Sequence, residues 1–342
     1  MSGPFVWSQK IRHKYFISAI SSSRRAPLVC RRPISSYTNC YAMKTKKFAK
    51  EAAQLAAPYR ITQGEKFRLK DYDPEDTGGL KDKHEAHGLL QHSVEMLRHL
   101  QEKLYAQNRW GMLVIIQGMD AAGKDGLISH VMSGVNPQGC DVWSFKTPSN
   151  EELDHDFMWR CHKVVPERGK IGIFNRSYYE EVLVVRVHPN LLEDEKLPEK
   201  LITKRIWEER YEDINAFERY LTRNGILVLK FFLHLSKKEQ KKRFLSRLED
   251  SEKNWKFSMA DVKERGYWKQ YQDAYQDVIQ NTANKNAPWH VIPADNKWFT
   301  RVAAALAIVT ALNELNLAFP DVDKSKRKEL DKARESLLHE DD

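Results

Sequence analysis

Met-Leu-Val-Ile-Ile-Gln-Gly-Met-Asp-Ala-Ala-Gly-Lys-Asp-Gly, residues 112–126, is the stretch on which the fold turns. An apolar, β-branched run breaks into Gly118-x-x-x-x-Gly123-Lys124, the spacing of a phosphate-binding loop between a strand and a helix. The glycines let backbone N–H groups curl around phosphate oxygens. Lys124 adds a point charge, and the helix that follows aims its positive end at the same place. Gly118, Ala121, Ala122, Gly123, Lys124, Asp125 and Gly126 are therefore the candidate phosphate cradle. Two departures matter. Asp125 stands where a Mg²⁺-ligating Ser/Thr normally follows the lysine, and a second acid, Asp120, lies inside the loop. An acid beside phosphate repels it unless a cation lies between them, so the loop is expected to work with a metal.

Outward from the loop, short apolar runs at Met112–Gln117, Asp141–Phe145, Lys170–Phe174, Ile226–His234 and His290–Pro293 read as strands. Helical stretches are predicted over 124–134, 150–163, 199–223, 237–249, 260–282 and 297–316. A further amphipathic helix carries Leu89, Leu90, Val94, Leu97, Leu100 and Leu104 on one face. Such alternation predicts an α/β fold, a parallel sheet covered by helices on both faces. His84, His87 and His92 fall at helical spacing and read as ordinary exposed residues rather than metal ligands.

Composition narrows the function. Of 56 Lys/Arg, eleven lie in residues 1–50, which hold no acid, so residues 51–342 carry 45 bases against 47 acids. The formal net charge of +9 thus belongs to the N-terminus, and the body gives no electrostatic case for nucleic-acid binding. The longest apolar stretch, Val302 to Leu312, is too short to span a bilayer, which takes about 20 residues. It reads as a buried helix, and no membrane partner is expected. Four cysteines without a Cys-x-x-Cys pair argue against a disulfide framework or structural zinc and fit a reducing, cytoplasmic setting. Residues 1–42, rich in Ser and Arg, have the composition of an organelle transit peptide or of an upstream-start artefact, and are expected to be disordered. A single domain is expected over 43–320, and a charged helix or tail from 321 to 342.

A second constellation, Ile171-Gly-Ile-Phe-Asn175-Arg176-Ser177-Tyr178-Tyr179-Glu180-Glu181, follows the third strand. Nucleotide-binding folds usually place an Mg²⁺-holding Asp at this strand end. Asn175 is a weaker ligand, so the metal is expected to lean on Asp120 and Glu180. Arg176 can take phosphate oxygens bidentately. A third region, 237–269, interleaves eleven Lys/Arg with Phe244, Trp255, Phe257 and Trp268. Lys237 to Lys242 can be a solvated helix face. Arg247, Lys253 and Lys256 look more like a basic lid that closes over phosphates and excludes water.

Gly118–Gly126, Phe174–Val187, Lys230–Gln240, Trp255-Lys-Phe257 and Ala287–Ala294 together resemble the polyphosphate kinase 2 family, as does the opening Tyr59-Arg-Ile followed by Phe67-x-Leu-Lys-Asp-Tyr-Asp-Pro-x-Asp-Thr77. The resemblance runs from about Tyr59 to Pro320. It implies a P-loop kinase-like three-layer α/β/α sandwich with a helical lid. The activity it implies is Mg²⁺-dependent (or Mn²⁺-dependent) phosphoryl transfer between inorganic polyphosphate and adenine or other nucleotides, in a homodimer or homotetramer. By the same resemblance the catalytic set is Asp120, Lys124, Arg176 and Glu180, the metal set Asp120, Asn175 and Glu180, and the polyphosphate and lid set Arg176, Arg186, Arg247, Lys253 and Lys256. The subgroup that accepts both AMP and ADP resembles the chain most, on Asn175 and Glu180. An ATP-dependent kinase on the same fold is the rival reading, disfavoured by Asp125 and by Asn175-Arg176-Ser177. A catalytically silent phosphate sensor is a second alternative.

Overall fold

A computed structural model describes residues 47–252 and 254–340. The transit-like segment 1–42 lies outside the described residues, as does Lys253, and of Lys256 only the backbone is described.

Six strands form one sheet in the order β1-β6-β5-β2-β4-β3. They are β1 (Arg60–Ile61), β2 (Gly111–Gly118), β3 (Cys140–Ser144), β4 (Ile171–Asn175), β5 (Ile226–His234) and β6 (Trp289–Pro293). β2 to β6 run parallel, and the two-residue β1 adds an antiparallel edge on β6. β2 and β5 are apolar along their length because both faces are covered. Met112, Val114, Ile116, Leu229, Phe231 and Leu233 enter one core, and Leu113, Ile115, Val228 and Phe232 enter the other. This is the two-residue alternation of a strand. On the first face lie helix α1 (47–56), α2 (Lys83–Gln107), α3 (Lys124–Val131) and α11 (Lys297–Glu314). Val302 to Leu312 is indeed a buried helix, and its alanines at 303, 304, 305 and 307 let α11 pack closely on α2. On the second face lie α6 (Glu180–Val187), α7 (Ile206–Arg223) and α10 (Trp268–Thr282). The layers are those expected.

Several helices are shorter than their periodicity suggests. The run 150–163 splits into α4 (Asn150–Leu153) and α5 (Trp159–His162), and the helix expected from 199 starts at Ile206. A 3₁₀ turn at Arg265–Tyr267 divides 260–282 into α9 (Met259–Glu264) and α10. The remaining helices are α8 (Lys237–Glu249) and α12 (Lys324–Leu338), the latter inside the charged tail. His84, His87 and His92 are exposed on α2, as expected.

A charged group sits inside the second core. Lys230, on β5, is fully buried, and its Nζ lies 2.5 Å from Glu218 Oε2 of α7. It also donates to Tyr179 Oη at 3.1 Å and to the Thr282 carbonyl at 2.8 Å. Tyr178 and Tyr179 both donate to Glu218 Oε1, at 3.0 and 2.8 Å. Every polar atom of the pair thus has a partner, which burial of charge demands.

Candidate active site

β2 is the strand beside which the connections reverse direction, with β4 and β3 to one side and β5 and β6 to the other. Ligands of open α/β sheets bind at the carboxyl end of the strands at such a point. There β2 ends in Gly118, where a Cβ would come 3.1 Å from Ala122 Cβ and Leu233 Cβ. Gly123 adopts φ +104°, and Ala121 takes the left-handed φ +63°. That conformation costs an alanine energy and marks a backbone held for a purpose. Lys124 folds back over the loop, donating to the Gly118 carbonyl at 2.7 Å.

The neighbouring strand end supplies the other half. Arg176 is also left-handed, at φ +66°. Its guanidinium stands between two carboxylates, 3.0 Å from Asp120 Oδ1 and 3.1 Å from Glu180 Oε2. Behind it, Ser177 is fully buried. The orientation of Gln117 that satisfies its amide donates to Glu180 Oε1 at 2.8 Å and accepts from Ser177 Oγ at 3.2 Å. The strained turn is held from below by Tyr178 and Tyr179, anchored on Glu218.

Asp120, Lys124, Arg176 and Glu180 are therefore brought together at the strand ends. The expected metal set is arranged differently from the sequence reading. Arg176 separates Asp120 from Glu180 instead of letting them converge, and among the described residues no three His, Cys, Asp or Glu side chains gather as a cation cage. Asn175 is placed otherwise. Its Nδ2 donates to Asp125 Oδ1 at 2.8 Å, while its buried Oδ1 has no hydrogen-bond partner. An orphaned amide oxygen beside carboxylates is a hard donor set short of full coordination. It suits a divalent cation that completes its shell with phosphate oxygens and water.

Arg186 is not aimed at this cluster. It pairs with Asp277 and donates to Tyr211, tying α6 to α7 and α10. The start of the basic stretch 237–269 packs on the phosphate loop. Gln240 Nε2 donates to the Asp120 carbonyl at 2.9 Å, and Arg243 donates to the carbonyls of Ala121 and Ala122 at 2.9 and 3.0 Å. The same guanidinium reaches the Ala294 and Asp295 carbonyls beyond β6. The first half of α8 is thus a brace for the phosphate loop. Beyond it, Arg247 lies 4.0 Å from Asp261 of α9. Burial and then the charge of Asp120 raise the Asp261 carboxyl above its usual range, while Arg176 opposes. Asp261 therefore faces the same cluster.

Electrostatics tune Lys124. Burial first, and then the nearby Arg176 cation, lower its ammonium to about 8, against the opposing pull of Asp120, Glu180 and Asp125. A cation is wanted where phosphate binds, so the sign is clear. Below about pH 8 the lysine is already charged; above it, binding must also take up a proton. KM for the phosphate-bearing substrates should climb as pH rises through 8, and this inflection should be absent from Lys124→Ala. Initial rates from pH 6.5 to 9.5 on both proteins test it, and the same inflection in both would refute the assignment.

Comparison with known proteins shows the family. The sequence profile of the polyphosphate kinase 2 family (PPK2) matches residues 80–320. The chain belongs to the polyphosphate kinase 2 family. It is 48% identical over 281 residues to an ADP-polyphosphate phosphotransferase of Rhodopseudomonas palustris, covering 82% of this chain and 97% of that one. It is 42% identical over 274 residues to an AMP/ADP-polyphosphate phosphotransferase of Meiothermus ruber, covering 79% and 97%. The crystal structure of polyphosphate kinase 2 from Arthrobacter aurescens superposes with a TM-score of 0.73 at 41% identity, covering 81% of this chain and 95% of that one. Other residues that the structure places at or behind the site were not singled out as site residues. Gln117, Lys230 and Gln240 lie inside the quoted motifs without a role read for them, and Glu218 and Asp261 lie outside every motif. Lys230 offered a signal, as a charge inside an otherwise apolar strand.

Proposed function

We propose that this enzyme transfers phosphoryl groups from inorganic polyphosphate to AMP and to ADP, giving ADP and ATP. The observation that carries the reading is the convergence of Lys124, the loop amides and Arg176 at one strand edge, with hard oxygen donors beside them. Phosphoryl transfer needs positioning and charge neutralisation more than a covalent intermediate. The loop and Lys124 hold one phosphate group, and Arg176 takes oxygens of the other substrate once it releases Asp120 or Glu180. Asn175, Asp120 and Asp125 are the side chains that would hold Mg²⁺, or Mn²⁺ in its place. Bound there, the ion would neutralise charge between donor and acceptor. Arg247 and the lid exclude water, which would otherwise hydrolyse the anhydride.

The names of the Rhodopseudomonas and Meiothermus relatives support polyphosphate as donor and AMP or ADP as acceptor. Asn175 favours the two-acceptor reading. An Asp there would fix a charge where metal and terminal phosphate meet; the amide leaves room for acceptors of one or two phosphates. The test is a time course with AMP, polyphosphate and Mg²⁺, and no ATP. ADP should rise first and then fall as ATP accumulates. Absence of product without ATP would return the enzyme to the ATP-dependent kinases. Conversion of ADP but never of AMP would leave the polyphosphate reaction and remove the two-acceptor assignment.

A further inference from the structure

The amino ends of β5 and β6 border a second cleft, at the far end of the strands from Gly118. Its volume of about 490 Å³ is that of a small-molecule site. Leu227 and Leu229 of β5 line it from the sheet, and Ala53 and Ala56 line it from α1. On α11 the lining residues Ala307, Thr310, Ala311 and Glu314 fall on one stripe at helical spacing. The alanines of both helices leave open a space that longer side chains would close.

Within this largely apolar lining two polar atoms are left over. His290 of β6 is only 3% exposed, and its Nδ1 has no hydrogen-bond partner. The buried Oγ1 of Thr310 has none either. Such atoms cost stability, which a bound group that pairs with them recovers. The imidazole is held in place, stacked on Phe231 with 5.1 Å between centroids. Burial first, and then the Arg60 cation, push it down to about 3, with the Lys230 backbone opposing, so the ring is neutral. The mouth of the cleft is charged. Arg60 lies directly opposite His290 in the β1–β6 pair, and so on the same face of the sheet. It stands 3.7 Å from Glu314, in an exposed pair that holds it weakly. Lys285 supplies a second cation. We propose that this cleft binds a small aromatic acid. Its ring lies between the alanines, its acid group meets Arg60 and Lys285, and an inner hydroxyl or ring nitrogen pairs with His290 Nδ1 and Thr310 Oγ1. A purely apolar ligand would leave both polar atoms unpaired, and a cation would meet two like charges at the mouth.

The probe is hydroxycoumarin carboxylate, a flat fluorophore with its carboxylate and hydroxyl at opposite ends. It is titrated into the full chain and followed by its anisotropy. A single saturable site is expected. AMP and polyphosphate should not displace the dye, since the phosphate loop lies at the other end of the strands. Ala53→Leu and Ala307→Leu fill the cleft from two helices, and each should abolish binding. Lys285→Glu should weaken the full dye at least about tenfold, but not the analogue that lacks the carboxylate. His290→Phe keeps a stacked ring and removes the unpaired nitrogen. It should weaken the full dye about tenfold, but not the analogue that lacks the hydroxyl, and should melt no lower than the parent. The proposal is overturned if no saturable site appears, if AMP or polyphosphate displaces the dye, or if either filling variant binds it as the parent does. It is equally overturned if each analogue loses as much affinity as the full dye in these variants. Occupancy that falls as the protein is concentrated would give the cleft to a second copy of the chain and overturn it too.

Discussion

Replacing Lys124 with alanine should lower kcat/KM for phosphoryl transfer by at least about 10²-fold, with no loss of thermal stability. The magnitude is that of removing one preorganised charged donor from an enclosed site, about 3 kcal/mol. Stability should not fall because Lys124 rests on carbonyl oxygens of its own loop, Gly118 at 2.7 Å and Met119 at 3.4 Å. No other side chain needs it in order to fold, and its lowered ammonium pKa means that burial already disfavours the charge. Steady-state kinetics beside a melting curve decide the matter. Activity within twofold of the parent would show that the loop amides and Arg176 bind phosphate without it.

The second large effect lies away from the substrates. Glu218→Gln keeps the shape of the side chain but leaves Lys230 in the core without its counter-charge. Stranding one member of a buried pair costs about 3–5 kcal/mol, which lowers Tm by roughly 10 °C in a chain of this size. Burial already pushes the Lys230 ammonium below its ordinary range, with Glu218 opposing that shift. Without Glu218 the folded-state pKa falls further, while the unfolded lysine keeps its usual value. Between those two values the unfolded chain binds more protons, so stability rises with pH. The deficit of Glu218→Gln should therefore shrink as the solution is made more alkaline. A double variant, Glu218→Leu with Lys230→Met, should lose less than the sum of the single losses. A Glu218→Gln protein that melts within 2 °C of the parent would mean that the pair contributes nothing.

How far the sequence could be read depended on where the information sat. The phosphate loop was legible because its geometry is local: glycines, a lysine and the flanking strand and helix fall within fifteen residues. Asn175, Arg176 and Glu180 were legible for the same reason, and the alternating apolar runs gave the layers. Helix ends were less so. The breaks inside 150–163 and at Arg265–Tyr267 interrupt an apolar periodicity that continues across them, and β1 is too short to show a pattern. Contacts made across the chain were not legible. Arg243 looks like one more base in a charged helix until its partners, Ala121 and Ala122 far earlier in the chain and Ala294 and Asp295 well after it, are in place. The position of Arg176 between Asp120 and Glu180 is likewise a product of folding, and it separates carboxylates that the motif alone appeared to join.

The bond pattern of α8 makes it a keystone. Gln240 and Arg243 fasten the first two turns of that helix to the backbone of Asp120, Ala121, Ala122, Ala294 and Asp295. Arg265, just past α9, returns to the Lys237 carbonyl at 3.0 Å and to Gln240 Oε1 at 2.8 Å. The stretch from Arg247 to α9 is thus moored at both ends on the same two turns that hold the floor on which the phosphate rests, so a change at Gln240 disturbs the floor and the overlying segment together.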